Sequence, residues 1–206
     1  MKVLITGFPA YSHFQSNCTE ILINSFKKDL PAILNEYKEN LSFEIINFEK
    51  TDPETEKSST LESVYSLLKK VVPNLCIFLG QSPNSNQIAV EQIAINLFKN
   101  EKIIEEAPPA YWSNLPNQEA IPDMLKKVGI PSKLSQYAGT YLCNLTLFSA
   151  LNFSQVNNLD IKSGFIHIPL TSKQVISLNT NSPFMPFEMI KQAVSKIILI
   201  MMKNYC

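Results

Sequence analysis

The stretch SQYAGTYLCNLTLF, residues 135–148, sets a cysteine just inside what reads as a helix start, after the small pair Ala138-Gly139. A thiol in a first helical turn feels the positive end of the helix dipole and unpaired backbone N–H groups, and both favour the nucleophilic thiolate. The same position also suits a small buried hydrophobe. Cys18 lies near a helix start too and competes on this ground, whereas Cys76, inside LCIFL, reads as core and Cys206 is terminal. A thiol nucleophile needs an imidazole to take its proton and return it to a leaving amine. The chain offers His13, in a polar loop, and His167. His167, in GFIHIP, alternates with Phe165 along a strand, which would aim it rigidly, either as a base or as a hydrogen-bonded core histidine. Glu91 completes the set. In QIAVEQIAINLF, period-two alternation puts it on a face with Ile93, Ile95 and Leu97. An inward carboxylate needs a partner, and an imidazole is the natural one because the carboxylate fixes its tautomer. A pleat slipped by one residue would instead turn Glu91 to solvent.

Such residues act together only if the fold gathers them. KVLITGF reads as a buried first strand ending at Gly7, and TEILINSF as a helix with Thr19 at its N-cap and Ile21, Leu22 and Phe26 as its apolar positions. SFEIINFE is a second strand. TLESVYSLLKKV places Leu61, Val64, Tyr65 and Leu68 on one helical face. NLCIFLG, QIAVEQIAINLF, IPSKLS and SGFIHIPL add strands, and PFEMIKQAVSKIILIMMK closes the chain with an amphipathic helix through Met189, Ala193, Val194, Ile197 and Met201. Prolines 108, 109 and 116 mark a surface loop. Alternating strands and helices predict an α/β fold, a single-domain three-layer sandwich over residues 1–206, with a mixed, mostly parallel sheet and helices on both faces. Sites in such folds collect at the C-terminal strand edges, where the glycines after LIT and IFL would lie.

Composition narrows the partners. The 206 residues carry 18 basic and 18 acidic side chains, so nothing favours nucleic acid or an anionic membrane. With 45% hydrophobic residues a core forms without staples. The four cysteines are widely spaced, with no zinc-ligand pattern, and the apolar runs at both ends are too short for a signal peptide or a membrane span. These features predict a reducing, cytoplasmic setting. ITGFPAYSHF lacks the further glycines of a dinucleotide-binding loop.

The chain resembles the pyroglutamyl peptidase I (pyrrolidone-carboxylate peptidase) family nearly end to end. KVLITGF followed by Asn17-Cys18-Thr19 is similar to the family's opening strand, loop and helix start. GQSPNSNQIAVEQIAIN is similar to its glutamate motif, IPSKLSQYAGTYLCN to its cysteine motif and SGFIHIP to its histidine strand; PPAYWSNLP also fits. The resemblance implies Cys143 as nucleophile, His167 as base and acid, and Glu91 as orienting carboxylate. It implies removal of N-terminal pyroglutamate from peptides through a thioester, without cofactor or metal. Phe8, Tyr11 and Tyr141 would wall the lactam, with Asn17 and Gln81 as polar contacts. The family commonly forms homo-oligomers, so a dimer or tetramer is expected.

The chain also departs from that pattern. The family's Pro-Phe-Gly-Gly reads here as Ala10-Tyr11-Ser12-His13, so two permissive glycines are lost. Gln92 replaces a basic residue, Tyr137 a small one, and Glu101 falls where an arginine is expected, in a shortened loop. Lys99 and Lys102 are possible substitutes for that arginine. Two readings follow: an active pyroglutamyl exopeptidase, or a catalytically impaired relative that binds a capped peptide or lactam without hydrolysis.

Overall fold

The computed structural model describes residues 1–12 and 14–204; His13, Tyr205 and Cys206, and the expectations placed on His13 and Cys206, lie outside the described residues. In chain order the elements are β1 (Val3–Gly7), α1 (Cys18–Lys28), β2 (Leu41–Ile45), α2 (Pro53–Val71), β3 (Leu75–Ser82), β4 (Ile88–Ile95), β5 (Ala110–Trp112), α3 (Ile121–Lys126), β6 (Ser132–Tyr137), α4 (Leu142–Val156), β7 (Lys162–Thr171), α5 (Ser172–Leu178), β8 (Phe184–Met185) and α6 (Phe187–Asn204). The sheet runs β2-β1-β3-β7-β4-β5, with β6 on β4 and β8 on β7. Strands β2, β1, β3 and β7 are mutually parallel, and β4 enters antiparallel to β7. The expected α/β sandwich with a mixed, mostly parallel sheet is therefore what the chain forms.

The continuous apolar strands follow from burial on both faces, as in other parallel sheets. Val3, Ile5, Leu75, Ile77, Leu79, Val90, Ile166 and Ile168 face one layer, packed under α1, α3 and α6. Leu4, Cys76, Phe78 and Phe165 face the other, packed under α2 and α4. Each fully buried Leu, Ile or Phe contributes roughly 1.5–3 kcal/mol of apolar burial, so both layers hold the sheet firmly. Among the described residues no helix is long and apolar enough to cross a membrane.

Two local expectations shift. The N-cap of α1 is Asn17, whose side chain accepts the Thr19 N–H at 2.9 Å; the Thr19 hydroxyl is occupied elsewhere, accepting from Phe8 N–H at 2.9 Å. Along β4, Glu91 is buried as expected, but the next inward residue is Ala94, while Ile93, Ile95 and Leu97 are half-buried. The reason is a change of partner. One edge of β4 pairs with β6 over Ile88 to Ile93, while the other leaves β7 after Glu91 and takes up β5 from Ile93.

Helix α4 is tied to that same strand. Asn144, fully buried, accepts from Ile95 N–H and donates to the carbonyls of Ile95 and Leu97, each at 2.8 Å. It thereby clamps the end of β4 to the turn that carries Cys143. Asn144→Ala would leave three main-chain groups without this partner. It is expected to cost about 2–4 kcal/mol in urea unfolding, since an unmet buried polar group costs roughly 1–3 kcal/mol. A loss under 1 kcal/mol would show that the clamp does not matter.

Candidate active site

Three elements deliver the three side chains. Phe165 and His167 lie on the same face of β7, and Glu91 on β4 pairs directly with Phe165, one step diagonal to His167. Glu91 Oε1 sits 2.7 Å from His167 Nδ1. Both residues are held in from solvent, Glu91 at 3% exposure and the His167 side chain at 14%. A carboxylate only accepts, so Nδ1 carries the hydrogen and donates it, which leaves Nε2 for the thiol. The Cys143 sulfur acts on the same imidazole. Burial pushes the His167 pKa down, but the Cys143 sulfur and the Glu91 carboxylate outweigh burial and hold it up, at about 10.

Cys143 is the second residue of α4, half-buried. The turn before it needs Gly139, whose φ of 82° lies in the left-handed region that side chains disfavour. The first intrahelical bond of α4 is Leu145 N–H to Tyr141 C=O, 2.9 Å, so the N–H groups of Leu142, Cys143 and Asn144 precede it. Room for the sulfur comes from Gly80 on β3, beside His167 in the parallel register. A Cβ on Gly80 would meet Phe165 ring carbons at 2.6 Å and Cys143 Sγ at 2.9 Å. The rival thiols are unsuited. Cys18 and Cys76 are fully buried, and burial pushes both up, Cys76 to about 12.

The loop after β1 closes over this centre. Phe8 is buried, its ring 6.4 Å from Phe165 and 6.5 Å from Phe48. The Tyr11 hydroxyl donates to the Gln81 carbonyl at 3.3 Å; burial and the Cys143 and Cys18 sulfurs push its pKa up. Ser12 takes φ 54°, so the loop keeps a left-handed residue although the glycines are gone. Gln81 Oε1 accepts from Cys18 N–H at 2.9 Å and from Gln174 Nε2 at 2.7 Å, which fixes the amide. Gln81 Nε2 is thereby left buried with no hydrogen-bond partner among the described residues. Tyr141 lies two residues before Cys143, and its hydroxyl donates to Glu56. Asn17 is placed differently: it is fully buried, capping α1 and donating to Pro9 C=O at 3.2 Å, so it shapes the loop from behind.

Gln174, the residue that orients Gln81, had no role in the sequence reading. Its legible signal was Thr171-x-x-Gln174, a capping box at the start of α5. Nothing local announced that the same amide would reach Gln81 and the Ser16 carbonyl.

Two outcomes follow from this geometry. Gly80→Ala is expected to fold but to slow alkylation of Cys143 by iodoacetamide by about tenfold or more, because sulfur and ring must both move; an unchanged rate would show that Gly80 is dispensable. The His167 proton, bound more tightly folded than unfolded, contributes stability that is complete below about 6.5 and lost as pH rises toward 10. Glu91→Gln removes one of the groups holding that proton. The stability advantage of wild type over the variant, from urea titrations, should therefore shrink across that window, and an advantage that stays flat would contradict the assignment.

Comparison with known proteins agrees with the geometry. The family model for pyroglutamyl peptidase matches residues 1–204. A pyrrolidone-carboxylate peptidase of Thermococcus litoralis is 36% identical, with 91% of this chain and 86% of that protein aligned. One from Brachyspira hyodysenteriae is 31% identical, over 99% of this chain and 100% of that one. The solved pyrrolidone carboxyl peptidase of Thermococcus litoralis superposes with TM-score 0.84 at 31% identity, covering 99% of this chain and 94% of its own. A mutant enzyme from Pyrococcus furiosus gives 0.85 at 26% identity with both chains fully covered. The chain belongs to the pyroglutamyl peptidase family.

Proposed function

We propose that this protein is a cysteine exopeptidase that removes N-terminal pyroglutamate from peptides, with Cys143 as nucleophile, His167 as general base and acid, and Glu91 as the carboxylate that orients His167. The observation that carries the reading is the 2.7 Å bond from His167 Nδ1 to Glu91 Oε1, on an imidazole that also feels the Cys143 sulfur at the start of α4. The reading takes residues 1–206 as one pyroglutamyl-peptidase-like domain.

In the first step His167 holds the thiol proton and the Cys143 sulfur attacks the carbonyl carbon joining pyroglutamate to the next residue. The negative charge that develops on the carbonyl oxygen faces the N–H groups at the start of α4. His167 then gives its proton to the departing amine as the C–N bond breaks, leaving a thioester. Water attacks that thioester, His167 takes the water's proton, and 5-oxoproline leaves as the thiol is restored. Glu91 steadies the imidazolium at each stage while remaining ionised. A free thiol nucleophile fits a reducing, cytoplasmic setting, and assembly into a dimer or tetramer is part of the same reading.

The substrate ring is flat, uncharged and polar at one edge. Phe8, Tyr11 and Tyr141 supply apolar walls, and the orphaned Gln81 Nε2 supplies a donor that a lactam carbonyl would satisfy. A proline ring lacks that carbonyl and leaves the donor unmet, which disfavours prolyl substrates. The binding-only alternative is not favoured, because the chain belongs to the peptidase family and keeps Cys143, His167 and Glu91.

Reduced enzyme should release the fluorophore from a pyroglutamyl-coumarin amide. Cys143→Ala should lower the rate by about 10⁴ or more, and the prolyl analogue should be slower than the pyroglutamyl one by about 10² or more. Equal rates for wild type and Cys143→Ala would end the proposal.

A further inference from the structure

Where the resemblance places an arginine, Glu101 points out to solvent and pairs with Lys57 at 3.7 Å. Lys102 likewise turns outward, to Glu105. Of the two lysines that could replace the arginine, Lys99 is the one that turns inward. Its Nζ lies 2.8 Å from Glu56 Oε2, a carboxylate buried in the first turn of α2. The other Glu56 oxygen accepts the Tyr141 hydroxyl. The ammonium also sits over the rings of Phe98 and Tyr141, 5.2 and 5.1 Å from their centroids, and those rings stack on each other. The Lys99 main-chain N–H donates to Thr140 C=O at 2.6 Å. Lys99 thus grips the segment just before α4 by cation, ring and backbone.

The backbone at Lys99 is an unlikely place for a lysine on local grounds. Phe98 and Glu101 exchange hydrogen bonds of 2.7 and 3.0 Å around a two-residue turn whose first central residue, Lys99, has φ 55°. Turns of that kind favour glycine there. A side chain in the left-handed region persists where its surroundings over-determine it, and such sites cluster near function. A buried carboxylate is tolerated only with its partners in place, so Glu56, Lys99 and Tyr141 stand or fall as a set.

Tyr141 has no side-chain capping bond to α4; its hydroxyl is committed to Glu56 instead. We infer that Glu56 and Lys99 are positioning residues for the proposed reaction, holding Tyr141 and through it the first turn of α4, so that the N–H groups around Cys143 meet the acyl oxygen correctly. The inference rests on the peptidase reading. The pair never touches the reacting atoms; it takes over, by a different route, a cation that the family pattern supplies as arginine.

The test is Lys99→Gly in the full chain. Glycine suits the turn and keeps the main-chain bond to Thr140, so the change removes the ammonium from Glu56 and from the Phe98 and Tyr141 rings. The expected result is kcat about tenfold lower with KM within about twofold. The rate of Cys143 alkylation by iodoacetamide should stay unchanged, because that displacement develops no acyl oxyanion. Lys99→Arg should restore most of kcat, and Lys102→Met should leave it alone. Glu56→Gln combined with Lys99→Gly should be little slower than Lys99→Gly alone, since the two act as one unit. If Lys99→Gly does not fold, Tyr141→Phe, which removes only the hydroxyl bond, carries the same expectation in direction. A kcat within twofold of wild type, or an alkylation rate that falls in step with kcat, overturns the inference. A wild type with no turnover of pyroglutamyl amide removes the proposed function and this inference together, whereas normal wild-type turnover with an indifferent Lys99→Gly removes the inference alone.

Discussion

A carboxylate and an imidazole taken out of water together have one comfortable arrangement, in which the ring N–H donates to the carboxylate, and the site grows from that constraint. Glu91 Oε1 lies 2.7 Å from His167 Nδ1 with both groups inside the protein. Either alone would be costly to bury. Together they fix the imidazole's tautomer and its rotation, and they commit Nε2 to the thiol. The second carboxylate oxygen, Oε2, has no hydrogen-bond partner among the described residues. The pair therefore depends on the bond through Oε1.

The sheet topology is what permits the pairing. In a wholly parallel sheet β4 would run beside β7 with its residues in step, but here it enters reversed. Glu91 then stands opposite Phe165, and its side chain reaches diagonally along the face to His167. On the other edge β6 stops pairing at Ile93, and Asn144 takes the Ile95 N–H and carbonyl just beyond it. The strand that carries the carboxylate is thus pinned by the helix that carries the thiol. Gly80 completes the junction by leaving space where any side chain would collide with both Phe165 and Cys143.

Much of this could be read from local pattern, and the reasons for the rest are physical. Buried strands such as LITG and LCIFLG declare themselves by unbroken apolar runs, and α6 by its 3.6-residue stripe. Cys143 at a helix start and His167 within a strand were visible for the same reason. The alternation beyond Glu91 was not, because a strand's inward face is decided by its neighbours, and β4 changes neighbours in mid-course. The N-cap at Asn17 rather than Thr19 turned on a bond from Phe8, a contact across a loop. The short elements β5, α3, α5 and β8 owe their form to what they pack on more than to propensity. Gln174, reaching Gln81 across the fold, and Glu56, reaching Lys99 and Tyr141, are contacts between distant segments that no window of sequence contains.

Two turns beside the site show how the chain tolerates backbone that local geometry disfavours. Ser12 and Lys99 both hold positive φ, 54° and 55°, at turns where glycine would be easier. Each turn is tied down from outside: Lys50 donates to the Ala10 carbonyl beside Ser12, and Glu56 and Thr140 hold Lys99. Strain of this kind survives when the surrounding contacts leave no alternative conformation. Both turns border the Cys143 site, one through Tyr11 and one through Tyr141. The cations at these two turns, Lys50 and Lys99, also lie over aromatic rings. A cation over a ring is held by the ring's electron-rich face as well as by its hydrogen bonds, so one side chain fixes a carbonyl or carboxylate and an aromatic wall at once.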